Sequence, residues 1–150
     1  MKKLVIGIKN CIIHDTCLVV EPVNLYGCEV GEKSFVGPFV EIQNDVKIGR
    51  NVRVQSHSFI CSGVSIGDHS FIGHGVMFIN DLFQNGGPAR GNTDLYKETV
   101  IGENVSIGSN ATILPVRITS NVVIGAGSVV TKDILKPGVY AGNPVRKLKK

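Results

Sequence analysis

An aliphatic or aromatic residue recurs at every sixth position from Val30 to Phe78, through Val36, Ile42, Ile48, Val54, Ile60, Ile66 and Ile72. Four residues after each of the first eight stands a small or β-branched side chain, in order Ser34, Val40, Val46, Val52, Ser58, Val64, Ser70 and Val76. Glycine often follows the anchor directly, at Gly31, Gly37, Gly49, Gly67 and Gly73. A period of six excludes an amphipathic helix, because a turn of 3.6 residues would scatter the anchors around the whole cylinder. It reads instead as a solenoid: six residues make one short strand and one corner, and three such units return the chain to its start. Residues eighteen apart then stack at the ~4.8 Å spacing of neighbouring strands, in columns such as Val30, Ile48, Ile66 and Val36, Val54, Ile72. Glycine after the anchor suits a corner that needs positive φ or close backbone approach.

The interruptions divide the chain. Run backwards, the register passes through Leu18, Ile12 and Ile6 but meets Asn24 where an anchor belongs, so an irregular first coil is expected over 5–29. Regular coils follow over 30–81. The pattern fails at Asn80–Asp81, and residues 82–99 show no period; a loop of that length has a functional task or stays unstructured. The repeat resumes at Ile101, Ile107 and Ile113, slips by one residue around Pro115-Val116-Arg117, and continues at Ile118, Ile124 and Val130. Coils are therefore expected over 100–135, with a C-terminal segment over 136–150, and the slip leaves Arg117 without a role. The expected architecture is all-β, one domain of about six triangular coils with one long protruding loop and a short C-terminal tail.

A content of 18 glycines agrees with many corners. The net charge of +4 is concentrated in Arg146, Lys147, Lys149 and Lys150, and no basic stripe interleaved with aromatics appears, so no nucleic-acid partner is expected. The apolar run Leu4–Ile8 is too short for a signal peptide, and nothing approaches the ~20 apolar residues of a membrane span. A cytoplasmic protein without membrane association is the expectation. Cys11, Cys17, Cys28 and Cys61 form no CxxC pair and no metal-ligand spacing, and read as reduced structural residues.

The anchor pattern, with glycine and then a small residue in its six positions, resembles the left-handed parallel β-helix acyltransferases of the hexapeptide-repeat family over most of the chain. The left hand is implied by that resemblance alone, since parallel crossovers elsewhere are almost always right-handed. The ending Val130-Thr-Lys-Asp133 followed by Gly142-Asn-Pro-Val-Arg146 resembles that of acyl-CoA-using members, with Val145 where alanine is more usual. The segment Phe71–Asp81 resembles the same segment in N-acyltransferases of nucleotide-linked 3-amino sugars. Relatives acting on 4-amino sugars carry a further N-terminal βαβ domain, for which the sequence leaves no room.

The resemblance implies acetyl-CoA or another acyl-CoA as cosubstrate, a nucleotide sugar as acceptor, a homotrimer, and a place in surface-polysaccharide sugar biosynthesis. It implies catalytic roles for His74, Asn80 and Asp81, which the register turns outward in consecutive hexads on the last face before the loop. It assigns the pantetheine to backbone around Gly108, Gly125 and Ala126, and the phosphates to Lys132 and Arg146, where cationic side chains suit the charge. An amine acceptor needs no strong base, whereas a hydroxyl acceptor does, so an O-acetyltransferase with His74 as base is the alternative. Asn80–Asp81 also fit a turn that merely opens the loop.

Two readings come from other classes. His69 and His74 have the H-x4-H spacing of the zinc site in γ-class carbonic anhydrases, built on the same β-helix, but the third histidine expected near residue 33 is Lys33. An open catalytic zinc site needs three protein ligands, so no metal is expected. A non-catalytic assembly domain would require neither the loop nor the C-terminal motif.

Overall fold

The computed structural model describes residues 1–149; Lys150, counted above with the basic C-terminal residues, lies outside them. The chain winds into a parallel β-helix with three faces. The first face stacks Ile8–Lys9, Asn24–Tyr26, Glu41–Ile42, Phe59–Ile60, Met77–Phe78, Thr112–Ile113 and Val129–Val130. The second stacks Ile12–Ile13, Glu29–Val30, Lys47–Ile48, Val64–Ile66, Thr99–Ile101 and Arg117–Ile118. The third runs from Leu18–Val19 through Phe35–Val36, Arg53–Val54, Phe71–Ile72, Ser106–Ile107 and Val122–Ile124 to Gly138–Gly142. Seven coils result, one more than the sequence reading. The additional coil comes from the C-terminal segment, which is no tail: Gly138–Gly142 continues the third face and folds back antiparallel on Val145–Lys147.

Every anchor from Val30 to Phe78 is buried, at most 4% exposed, and so are the small residues four places on. The interior is a stack of aliphatic columns, because each coil lays its anchor on the one below. Buried serines in this inner row tie coils together. Ser34 Oγ donates to the Gly49 carbonyl (2.9 Å) and accepts from Val52 N–H (3.0 Å), and Ser70 Oγ does the same with Gly102 and Val105 (both 3.1 Å). A buried hydroxyl used in both directions leaves no desolvated polar group in the core.

The glycines that follow the anchors are explained by close approach and not by positive φ. A Cβ on Gly67 would stand 2.6 Å from the Gly102 carbonyl carbon, and one on Gly31 2.7 Å from that of Gly49. Positive φ falls instead three residues after the anchor, on Lys33, Phe39, Asp45, Asn51, His57, Gly63, His69 and Gly75. That corner residue is in the left-handed region, which costs a non-glycine side chain of order 1 kcal/mol; the interlocked coils on both sides hold it there.

The first coil differs from the expected register. Its inward residues are Ile13, Val19 and Leu25, paired with Val30, Val36 and Ile42, whereas Ile6, Ile12 and Leu18 point outward and are more than half exposed. The cause is a corner one residue short between Leu25 and Val30, where Gly27 takes φ 60° and Cys28 fills the inner row. The same contraction occurs between Ile113 and Ile118, with Val116 turned inward. Stacked residues are eighteen apart in the regular coils before the loop and seventeen apart across either contraction, as in Ile13 with Val30 and Ile107 with Ile124, while the last coil is shorter again, with Ile124 against Tyr140.

Candidate active site

The loop leaves the solenoid at the corner between the first and second faces, in the fifth coil. Its base is closed by Lys97 N–H donating to the Asn80 carbonyl (2.9 Å) and by an antiparallel bridge between Asp81 and Tyr96. Inside it, Thr93–Leu95 form one 3-10 turn capped by Asn92, and Gln84 Nε2 donates to the Leu95 carbonyl (3.0 Å). The excursion is thus an organised lobe over 82–98, with Thr99 already in the next strand.

Asp81 organises that lobe. Its Oδ1 accepts from Phe83 N–H (3.0 Å) and its Oδ2 from Ala89 N–H (2.7 Å). This is the Asx-type opening of the loop, and both carboxylate oxygens are engaged in it.

Asn80 is held differently. Its Nδ2 donates to the Ser62 carbonyl (3.2 Å) and to the Ser62 hydroxyl (3.0 Å), one coil below. A carbonyl can only accept, so the amide orientation is determined and Oδ1 remains as an outward acceptor. Ser62 is braced in turn: its N–H donates to Gln43 Oε1 (3.3 Å), and Gln43 Nε2 donates to Glu41 Oε1 (3.2 Å). Glu41 also accepts from Asn24 Nδ2 (3.1 Å) and from the Tyr26 hydroxyl (3.5 Å). Burial, then the Glu41 charge, raise the Tyr26 phenol, which stays protonated and donating. A continuous ladder therefore climbs the first face from Asn24 to Asn80. The sequence reading missed Ser62, Gln43 and Glu41, although Ser62 lies eighteen residues before Asn80 and the repeat period alone would have found it.

Cys61, beside Ser62, is no nucleophile: burial pushes its thiol up to about 12, and the thiolate is the reactive form.

His74 stands elsewhere. Consecutive hexads occupy successive sides of the prism, so His74 is on the corner between the third and first faces, one side away from Asn80. It is exposed, and its carbonyl accepts from Asn110 N–H (2.8 Å). Farther along the same corner come Ser109 and Ala126, with Gly108 and Gly125 at the adjoining ends of strands. The three residues assigned to pantetheine are thus on one edge with His74. The glycines are demanded by stacking in any case, since a Cβ on Gly125 would stand 2.9 Å from that of Ala141.

Lys132 occupies the corner of Asn80, two coils on, or ~10 Å along the axis at the spacing of stacked strands. It lines a cavity of about 240 Å³ together with Arg146, Lys147, Asp133 and Tyr140. The terminal hairpin brings Arg146 there. Asp133 Oδ1 accepts from Arg117 N–H (2.8 Å), which attaches this turn to the coil below and shows what the slipped segment does. Three cations around a small cavity suit a phosphate. A larger hollow beside it, lined by Pro137, Gly138, Val139, Lys147, Leu148 and Lys149, is an open trough on the end of the solenoid.

His69 is on the corner of the second and third faces above Asn51, on another edge from His74. Among the described residues no group of three or more His, Cys, Asp or Glu side chains converges as a metal site would require. No helix among them is long and apolar enough to cross a membrane.

Comparison with known proteins places the repeat. Residues 27–62 match the bacterial transferase hexapeptide model (six repeats), and residues 98–132 match the hexapeptide repeat of succinyl-transferase. The chain is 28% identical over 152 residues to the bifunctional protein GlmU of Buchnera aphidicola; the match covers 95% of the chain but 32% of GlmU, so the chain spans about a third of that relative's length. Among solved structures, a hexapeptide-repeat acetyltransferase of Vibrio cholerae complexed with acetyl coenzyme A is 27% identical, with a TM-score of 0.68 over 82% of this chain and 70% of that one. AntD, an N-acyltransferase of Bacillus cereus crystallised with dTDP-4-amino-4,6-dideoxyglucose and coenzyme A, is 22% identical, with a TM-score of 0.79 over 93% of this chain and 83% of AntD.

Proposed function

Because the chain belongs to the hexapeptide-repeat transferase family, we propose that it is an acyl-CoA-dependent N-acyltransferase, acting with acetyl-CoA on an amino group of a nucleotide-linked sugar. The observation that carries this reading is the placement of Asn80. Its amide is held by Ser62 so that Oδ1 faces outward, under the loop, on the same corner as the cationic cavity of Lys132 and Arg146. An amine that attacks a thioester presents N–H groups and develops positive charge on nitrogen, and a fixed carbonyl acceptor suits both. The amine lone pair bonds to the acyl carbon and the carbonyl oxygen becomes an oxyanion, for which backbone N–H groups are the natural donors. Collapse breaks the carbon–sulfur bond and the nitrogen loses a proton, leaving amide and the coenzyme A thiol. Lys132 and Arg146 hold the coenzyme phosphates, and Gly108, Gly125 and Ala126 offer backbone to the pantetheine. Asp81 supports the site by shaping the loop.

Binding of coenzyme A and an amino sugar by similar folds favours this reading. AntD was crystallised with a 4-amino sugar, so the solenoid fold does not choose between amino positions.

The His74 corner and the Asn80 corner lie a full face apart in one protomer. A homotrimer, with two solenoids side by side, brings unlike corners together around an extended ligand, and ligand sites favour such grooves. Light scattering is expected to give a trimer at micromolar concentration; an active monomer would refute it.

The test is thiol release from acetyl-CoA with a panel of UDP- and dTDP-linked 3-amino and 4-amino sugars beside their hydroxyl counterparts. Release with an amino sugar alone supports the proposal. A second reading, O-acetyl transfer with His74 as general base, is favoured by the exposure of His74 on the same edge as Gly108, Gly125 and Ala126. It predicts the reverse selectivity.

A further inference from the structure

Four thiols are present, and two of them are stacked. Ile12 pairs with Glu29 in the parallel register, which puts Cys11 directly beneath Cys28 on consecutive coils. Their sulfurs are 3.5 Å apart, and Ile12 N–H donates to the Cys28 carbonyl (2.9 Å), so the two backbones are already fastened beside them. Neighbouring parallel strands are about 4.8 Å apart, inside the ~4.4–6.8 Å Cα separation that a disulfide spans. The other thiols lack such a partner: Cys17 Sγ donates to the Gly31 carbonyl (3.0 Å), and Cys61 is buried within the solenoid. The two stacked cysteines differ in access. Cys11 is half-buried, whereas Cys28 is 1% exposed.

We propose that Cys11 and Cys28 are a redox modification site, a staple that closes between the first and second coils. It is independent of the acyl-transfer reading. The oxidant is a low-molecular-weight disulfide. The Cys11 thiolate attacks one of its sulfurs, forming a mixed disulfide and expelling one small thiolate. Cys28, giving up its proton, then attacks the Cys11 sulfur; the Cys11–Cys28 bond forms and the second small thiol leaves. Two protein thiols are oxidised and one small disulfide is reduced to two thiols. The order follows access, because an outside reagent meets Cys11 first. Burial pushes the Cys28 thiol up to about 12, with the adjoining Cys11 adding to the shift, which keeps Cys28 protonated until a mixed disulfide is delivered beside it.

The consequence is local. The strands Ile8–Lys9, Ile12–Ile13 and Leu18–Val19 are edges: each has a neighbour on one side only, and Val5, Ile6, Ile12 and Leu18 lie exposed beside them. In a solenoid, stability is a sum over repeats and their interfaces, so an end coil frays independently of the middle. A covalent bond across the first interface removes that opening.

The experiment uses the whole chain, exposed to glutathione disulfide or to dithiothreitol. The expected oxidised product has lost two hydrogens, carries no glutathione, and yields a peptide joining Cys11 to Cys28. Hydrogen exchange at Ile12 and His14, whose N–H groups bond to the second coil, is expected to slow by about tenfold or more on oxidation. Cys11→Ser abolishes both effects and Cys17→Ser leaves both intact. Cys11→Ser supplies the control should Cys28→Ser fail to fold. A glutathione adduct that persists on Cys11, a bridge from Cys11 to Cys17, or a Cys11–Cys28 bond that leaves exchange unchanged or faster would each overturn the proposal.

Discussion

Asn80 donates its side-chain amide to both the carbonyl and the hydroxyl of Ser62, at 3.2 and 3.0 Å, and so presents a single acceptor outward. If that acceptor meets the attacking amine, Asn80→Ala is expected to lower kcat by roughly 10²-fold, the scale of losing one fixed polar partner of a transition state, with the melting temperature little changed. His74→Ala then costs about tenfold or less. If the acceptor is a hydroxyl, His74→Ala costs on the order of 10²–10⁴ and Asn80→Ala little. Steady-state kinetics of the two variants on one substrate decide between them.

Lys132 and Arg146 face one cavity from different segments. Replacing either by alanine is expected to weaken coenzyme A by roughly tenfold, about 1.4 kcal/mol. Calorimetric titration against coenzyme A and its dephospho form locates the contact. A loss confined to coenzyme A marks the 3′-phosphate, and equal losses mark the diphosphate.

Asp81→Ala strips the loop of two acceptors and leaves the N–H groups of Phe83 and Ala89 without them. A loss of roughly 1–3 kcal/mol in local stability is expected. It should appear as faster tryptic cleavage after the exposed Arg90, while the solenoid keeps its thermal transition. Unchanged cleavage would place the loop's order in contacts other than Asp81.

Among the described residues the outer corners carry one ion pair. Asp68 accepts from Arg50 N–H (2.8 Å) through Oδ1 and from Arg50 Nε and Nη2 (2.9 and 2.8 Å) through Oδ2. These bonds hold the carboxyl below its ordinary value of 3.8, first through the Arg50 backbone N–H and then through its guanidinium. A depressed carboxylate contributes stability that is complete above the unfolded value and is lost as the pH falls through the folded one. Asp68→Asn is therefore expected to destabilise the chain at pH 7 and to narrow its difference from the parent below pH 3.8. Thermal melts across pH 2–7 at low salt check it, as screening weakens exposed pairs.

The sequence by itself determined the solenoid, its three faces, the ejection point of the loop and the two one-residue contractions as disturbances of the period. A buried column must repeat the same side-chain class at every turn, and that demand is written along the chain. Only the tertiary structure decided which residues face inward beyond a contraction. A corner one residue short moves the inward face from Ile12 and Leu18 to Ile13 and Val19, and both phases offer aliphatic side chains. The same holds for the site. Asn80, Asp81 and His74 were legible as outward polar residues near the loop, but their division between two corners, the engagement of Asp81 in the loop and the outward Asn80 Oδ1 depend on hydrogen bonds to Ser62, Phe83 and Ala89. Polar groups at a surface leave no period, because water accepts any arrangement of them; what distinguishes one from another is the partner that folding supplies.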